Sequence, residues 1–90
     1  MAKEKVQIVN ELGLHARPAA LFVRLASKFN ADIRIFKDGR EADGKSIMDI
    51  MMLTARKGTN IDIRAVGEDA DAAVEALSSL VKSGFHEYLH

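Results

Sequence analysis

Cysteine is absent from the 90-residue sequence. That excludes a disulfide framework and any chemistry carried by a thiolate, and it fits a reducing compartment. Aromatic residues are scarce at 6%, and net charge is missing as well: 13 Lys and Arg balance 13 Asp and Glu. With no overall field and few stacking surfaces, binding to nucleic acid or to an anionic membrane is not expected. No apolar run approaches bilayer-spanning length, and the opening MAKEKVQIVN has no apolar signal core. The expected location is cytoplasmic. The sequence has neither a Walker-type glycine loop nor clustered metal ligands, so no cofactor and no metal are expected.

What is present is the composition of an ordinary globular chain, 48% apolar and 29% charged, read as a single domain over residues 1–90. There is no internal repeat or linker. Val6 and Ile8 alternate with Lys5 and Gln7, predicting a first strand over Lys5–Val9. Leu21, Phe22, Leu25, Ala26 and Phe29 recur at helical spacing, predicting a helix over Ala16–Phe29 with Asn30 as a left-handed stop. Ile33 and Ile35 mark a second strand, and Asp38-Gly39 a tight hairpin into a third strand over Arg40–Asp43. A short helix is expected over Ser46–Thr54 and a fourth strand over Asn60–Val66. Asp69 is placed to cap a last helix striped by Ala73, Ala76, Leu77, Leu80 and Val81 and stopped by Gly84. The order β-α-β-β-α-β-α, with one polar face per strand, predicts a two-layer α/β fold: an antiparallel sheet with helices over one side.

The stretch GLHARPAA, Gly13 to Ala20, carries the chemistry. His15 falls at the N-cap or first position of the first helix, where backbone N–H groups lack intrahelical acceptors and the dipole is positive. An imidazolium is disfavoured there, whereas a neutral ring with an available lone pair is not. An anion attached to that ring would meet the amides of Ala16 and Arg17, so a nucleophile and a phosphate cradle coincide. Pro18 suits an early helical position because its missing N–H had no acceptor there. Arg17 adds a permanent charge and a fork of donors matched to phosphate oxygens. An ordinary helix-start histidine followed by a surface arginine accounts for the same spacing.

Ser46-Ile47-Met48-Asp49 has the form of a capping box, so the hydroxyl of Ser46 is expected to satisfy an open N–H. The helix it starts is too short to bury all its apolar side chains. Ile50 and Leu53 are assigned to the core, leaving Ile47, Met48 and Met51 exposed near His15 as an adaptable docking patch. Arg24, Lys28 and Lys45 are candidate charge partners for acidic surfaces, or plain solvated residues.

NELGLHARPAALFV, followed by GKSIMDIMML and the β-α ending, resembles HPr, the family of histidine-containing phosphocarriers of the bacterial phosphoenolpyruvate-dependent sugar phosphotransferase system. The resemblance runs from about Lys3 to Phe85. It implies an open-faced sandwich with strand order 1-4-2-3 and three helices on one face. It also implies that His15 accepts a phosphoryl group on its δ nitrogen from Enzyme I and passes it to EIIA domains of sugar permeases, with Arg17 steadying the phosphate. Such a protein is a phosphorylated intermediate and not a self-sufficient enzyme. By the same resemblance Ser46 matches a regulatory phosphorylation site, with HPr kinase/phosphorylase and a catabolite-control transcription factor as further partners. Asp49 departs from the pattern, since the family usually has a small residue there, and its carboxylate would repel a phosphoserine.

Two alternatives stay open. One is an HPr-like regulator of nitrogen or carbon metabolism that acts mainly by protein–protein binding. The other is a generic interaction module in which GLHARPA is structural. A monomer is expected, because the docking face must be open at each handover. In the tail FHEYLH, His86 and His90 resemble a metal pair but lack a third ligand, and they are read as a solvated end.

Overall fold

The structure is a computed structural model and describes residues 1–86. Its elements are β1 (Ala2–Gln7), α1 (Ala16–Ala26), β2 (Asp32–Lys37), β3 (Arg40–Asp43), α2 (Ile47–Met52), β4 (Asn60–Val66) and α3 (Ala70–Lys82). The strands form one antiparallel sheet in the order β1-β4-β2-β3. Three helices cover one face, as the two-layer reading anticipates.

The alternation read in the sequence sorts the two faces of this sheet. Val6, Ile33, Ile35, Ala42, Ile61, Ile63 and Ala65 are buried beneath Phe22, Ile50, Leu77 and Val81 of the helices. The opposite face carries Lys5 across from Asp62, and Arg64 across from Arg34. Those two arginines are kept from mutual repulsion by separate partners. Arg34 meets Asp32 at 3.2 Å and Arg64 meets Asp62 at 3.3 Å, with Arg64 also 4.3 Å over the ring of Phe36. Between β2 and β3, Lys37 faces Arg40, so Asp38-Gly39 is a two-residue loop. Its φ values of 50° and 79° are those of a type I′ turn, which matches the twist of the flanking strands.

Several boundaries differ from the sequence reading. β1 runs from Ala2 to Gln7 rather than Lys5 to Val9, because β4 supplies partners as far as Ala65 opposite Ala2. α1 ends at Ala26, three residues short of Phe29, and its exit tightens into i→i+3 bonds from Lys28 to Leu25 and from Phe29 to Ala26. Asn30 is not the left-handed stop, since it is not among the residues of positive φ. Its N–H and that of Ala31 instead donate to the two carboxylate oxygens of Asp69, both at 2.8 Å. Asp69 occupies the N-cap position of α3 but makes no side-chain cap bond; its carboxylate serves the distant chain segment. At the far end Gly84 and Phe85 donate back to Val81 and Leu80, both at 3.0 Å. That pairing closes α3 in a Schellman motif.

Phe85 is buried and His86 exposed; the expectations for the rest of the tail, His90 included, lie outside the described residues. No helix among the described residues is long and apolar enough to cross a membrane.

The Asp69 clasp makes stability depend on pH in a definite sense. The N–H groups of Asn30 and Ala31 hold its carboxyl below the ordinary value of 3.8, against the opposing effect of desolvation. The unfolded chain therefore binds the proton first as pH falls. The stabilisation is complete above about pH 5 and fades as pH falls through 3.8 and on to the lower folded value. Denaturant titrations from pH 6 to pH 2.5 should show Asp69→Asn less stable than the parent at pH 6 and the gap closing in acid. A gap that is constant with pH would contradict the clasp.

Candidate functional site

The segment between β1 and α1 is held from both ends. Asn10, fully buried, donates from Nδ2 to the carbonyl of Gly13 at 2.8 Å, while the Gly13 N–H donates to the Asn10 carbonyl at 3.2 Å. The same Gly13 carbonyl accepts the N–H of His15 at 3.0 Å. One residue further on, the Leu14 N–H donates to the carbonyl of Ala55 at 2.9 Å. Gly13 itself has φ of 68°, and a Cβ there would stand 2.2 Å from that carbonyl oxygen and 2.9 Å from the Cα of Arg56. The loop can lie against the chain after α2 only because position 13 has no side chain. Outside this contact, Lys57 and Glu11 form an ion pair at 2.8 Å that holds the Glu11 carboxyl below its usual range.

This loop delivers His15 in extended conformation (φ −87°, ψ −167°) to the N-cap of α1, as the sequence suggested. Its carbonyl accepts the N–H of Ala19 at 2.9 Å, and its imidazole makes no side-chain cap bond. The ring is half-buried. Ala16 and Arg17 are the first two helical residues, so their N–H groups have no intrahelical acceptor, and Pro18 has no N–H to satisfy. Arg17 is exposed. Together these place an imidazole, two amides without intrahelical acceptors and the exposed Arg17 at the positive end of a helix.

His15 also borders a concavity of about 290 Å³ lined by Leu12, Leu14, Met51, Thr54, Ala55 and Arg56. Ser46 is the N-cap of α2 and accepts from the Asp49 N–H at 3.2 Å. The returning arm of the box goes elsewhere, since the Asp49 carboxylate accepts from the N–H of Asp43 at 3.2 Å. Beyond the cap, Ile50 and Leu53 are buried while Ile47 (41%), Met48 (72%) and Met51 (40%) are exposed. Met52 is exposed too.

A family model described as the PTS HPr component phosphorylation site matches residues 2–83. The chain belongs to the HPr family. The phosphocarrier protein HPr of Neisseria meningitidis serogroup A is 41% identical over 87 residues, 97% of this chain and 98% of that one. A crystal structure of HPr from Thermoanaerobacter tengcongensis superposes with a TM-score of 0.95 at 45% identity, covering 99% of this chain and 100% of that chain. The HPr-like protein Crh of Bacillus subtilis (strain 168) is 43% identical over 82 residues, 91% of this chain and 96% of that one. A crystal structure of Crh, described as a swapped-domain dimer, aligns with a TM-score of 0.76 at 42% identity, over 93% of this chain and 97% of that chain.

Within this HPr fold the candidate residues separate into groups. His15, Arg17 and the amides of Ala16 and Arg17 are brought together at one helix start, and Met51 joins them across the concavity. Arg24 and Lys28, both exposed, sit at and beyond the last turn of α1. Lys45 is already engaged, since its ammonium donates to the Phe29 carbonyl at 2.7 Å and ties the end of α1 to the start of α2. The sequence reading missed Asn10, Leu12 and Arg56. Leu12, 72% exposed at the lip, carried a readable sign, being a leucine in an otherwise polar turn.

The close approach at Gly13 has a measurable consequence. Gly13→Ala should lower stability in chemical denaturation by more than about 2 kcal/mol, combining left-handed strain with a backbone clash. Gly39→Ala, also at positive φ but with nothing within 4 Å, should lose only about 1 kcal/mol. Equal losses at the two sites would contradict the packing role of Gly13.

Proposed function

We propose that the protein carries a phosphoryl group on His15, taken from Enzyme I with phosphoenolpyruvate as the original donor and handed to EIIA domains of sugar permeases in the cytoplasm. The observation that carries this reading is the placement of the His15 ring at the open N-terminus of α1, beside Arg17 and over a solvent-facing concavity. A ring nitrogen (Nδ1 by family likeness) attacks phosphorus with its lone pair. The bond from phosphorus to the donor breaks, and that electron pair leaves with the donor. The equatorial oxygens then face the Ala16 and Arg17 amides and the Arg17 guanidinium, so positioning and electrostatics do the work. The reverse sequence unloads the group onto the next acceptor.

Ile47, Met48 and Met51 form an exposed apolar surface on α2 for successive partners, Met51 lining the concavity with His15, and Arg24 and Lys28 add charge complementarity toward acidic ones. The working state is a monomer, which leaves that surface open. A second reading rests on the likeness to Crh: the chain would act chiefly by binding regulatory partners. Incubation with phosphoenolpyruvate and Enzyme I, read by intact-protein mass before and after mild acid, separates the two. The carrier gains one acid-labile phosphoryl group in the parent and none in His15→Ala. No gain with a matched Enzyme I favours the regulator.

Ser46 is a cap first and a candidate phosphorylation site for HPr kinase/phosphorylase second, with a catabolite-control transcription factor as reader. A phosphate at the N-cap meets a favourable dipole but lies three residues from the Asp49 carboxylate. Ser46→Ala should cost about 1 kcal/mol through the lost cap. Ser46→Asp should keep the parent stability in denaturant and still accept phosphate from Enzyme I much more slowly. An unfolded Ser46→Asp protein, or one loaded at the parent rate, would contradict this account.

A further inference from the structure

Several cations of the segments around α2 are already engaged. Lys57 is paired with Glu11 at 2.8 Å, Lys45 donates to Phe29, Lys37 donates to the Leu53 carbonyl at 3.1 Å and Arg40 to the Met52 carbonyl at 3.4 Å. Arg56 differs. Its side chain is exposed and meets no carboxylate or carbonyl among the described residues, yet it lines the concavity that His15 borders.

The backbone of Arg56 is tied to the histidine loop. Its N–H donates to Thr59 Oγ1 at 3.3 Å and its carbonyl accepts the Thr59 N–H at 2.9 Å, closing a turn around residues 56–59. The preceding residue, Ala55, accepts the Leu14 N–H, and the Arg56 Cα packs where a Gly13 side chain would be. A flexible guanidinium is thus mounted on a point packed against Gly13, two residues before His15, and lines the same concavity as the histidine.

We propose that Arg56 is a second phosphate-contacting residue, acting together with Arg17 on the phosphoryl group of His15. The proposal rests on the reading of His15 as the acceptor and adds a ligand to that site. Two guanidiniums supply charge and forked donors to the equatorial oxygens, where a single one leaves part of the group's charge to solvent. Leu12 and Met51 border the same space and limit the water that competes for those donors.

The test uses the full chain loaded by Enzyme I and phosphoenolpyruvate, comparing the parent with Arg56→Ala and Arg56→Lys. Thermal unfolding should be the same for all three, since the side chain is exposed. The isolated phosphoprotein is then read by its 31P resonance, which no partner docking influences. Single-turnover loading is read at saturating Enzyme I. Arg56→Ala should move the 31P resonance and slow saturated loading about tenfold, the effect of losing one hydrogen bond to a charged group. Arg56→Lys should recover part of both. An unmoved resonance in Arg56→Ala overturns the proposal, as does a variant that needs more Enzyme I but reaches the parent rate. If the parent takes up no acid-labile phosphoryl group, the acceptor reading fails and this one fails with it. A loaded parent with an unaltered Arg56→Ala spectrum overturns the Arg56 contact alone.

Discussion

The functional end of the molecule depends on a backbone contact without a side chain: Gly13 lying against Ala55 and Arg56. Because position 13 has no Cβ, the Leu14 amide can reach the Ala55 carbonyl at 2.9 Å. That bond ties the loop before α1 to the segment after α2, and the buried Asn10 amide holds the same turn from inside. His15 inherits its position from this crossing. So does the concavity, whose walls come from both sides of the contact. Removing the contact would separate the histidine from its surroundings and disturb the core at Leu14 and Ala55, which are both buried.

The site is shallow, and that suits group transfer between proteins. A buried phosphoryl group would be hard to hand on, whereas one held at an open helix start is retained by amides and guanidinium and still accessible to an acceptor. The apolar side chains of α2 lie at the edge of this platform. They are exposed because a six-residue helix with Ile50 packed inward has no room to bury the others. The Asp49 carboxylate is built into the fold by the N–H of Asp43. Its charge is therefore a fixed feature of the helix that Ser46 caps.

What could be read from the sequence was local. Strand alternation gave the element order and the bounds of β4, Asp38-Gly39 the hairpin, and Ser46 its cap three residues before Asp49. Short-range spacing also located the exposed side of α2. The misses were decided by residues far apart in the chain. β1 takes its length from β4 through a register that pairs Ala2 with Ala65. α1 stops early where Asp69, about forty positions away, gathers the amides of Asn30 and Ala31. Lys45 looks like a surface charge until the Phe29 carbonyl is placed beside it, and Arg56 looks like part of a turn until the fold sets it across from His15.

The central claim is that the start of α1 receives the phosphoryl group on a framework that does not rearrange. Amide-resolved NMR of the full chain, before and after loading, tests it most directly. The account predicts that the largest shifts fall on the N–H groups of Ala16 and Arg17, while the Leu14 amide keeps its slow hydrogen exchange behind the Ala55 carbonyl. Shifts spread through the sheet, or a Leu14 amide that exchanges freely once the histidine is loaded, would contradict it.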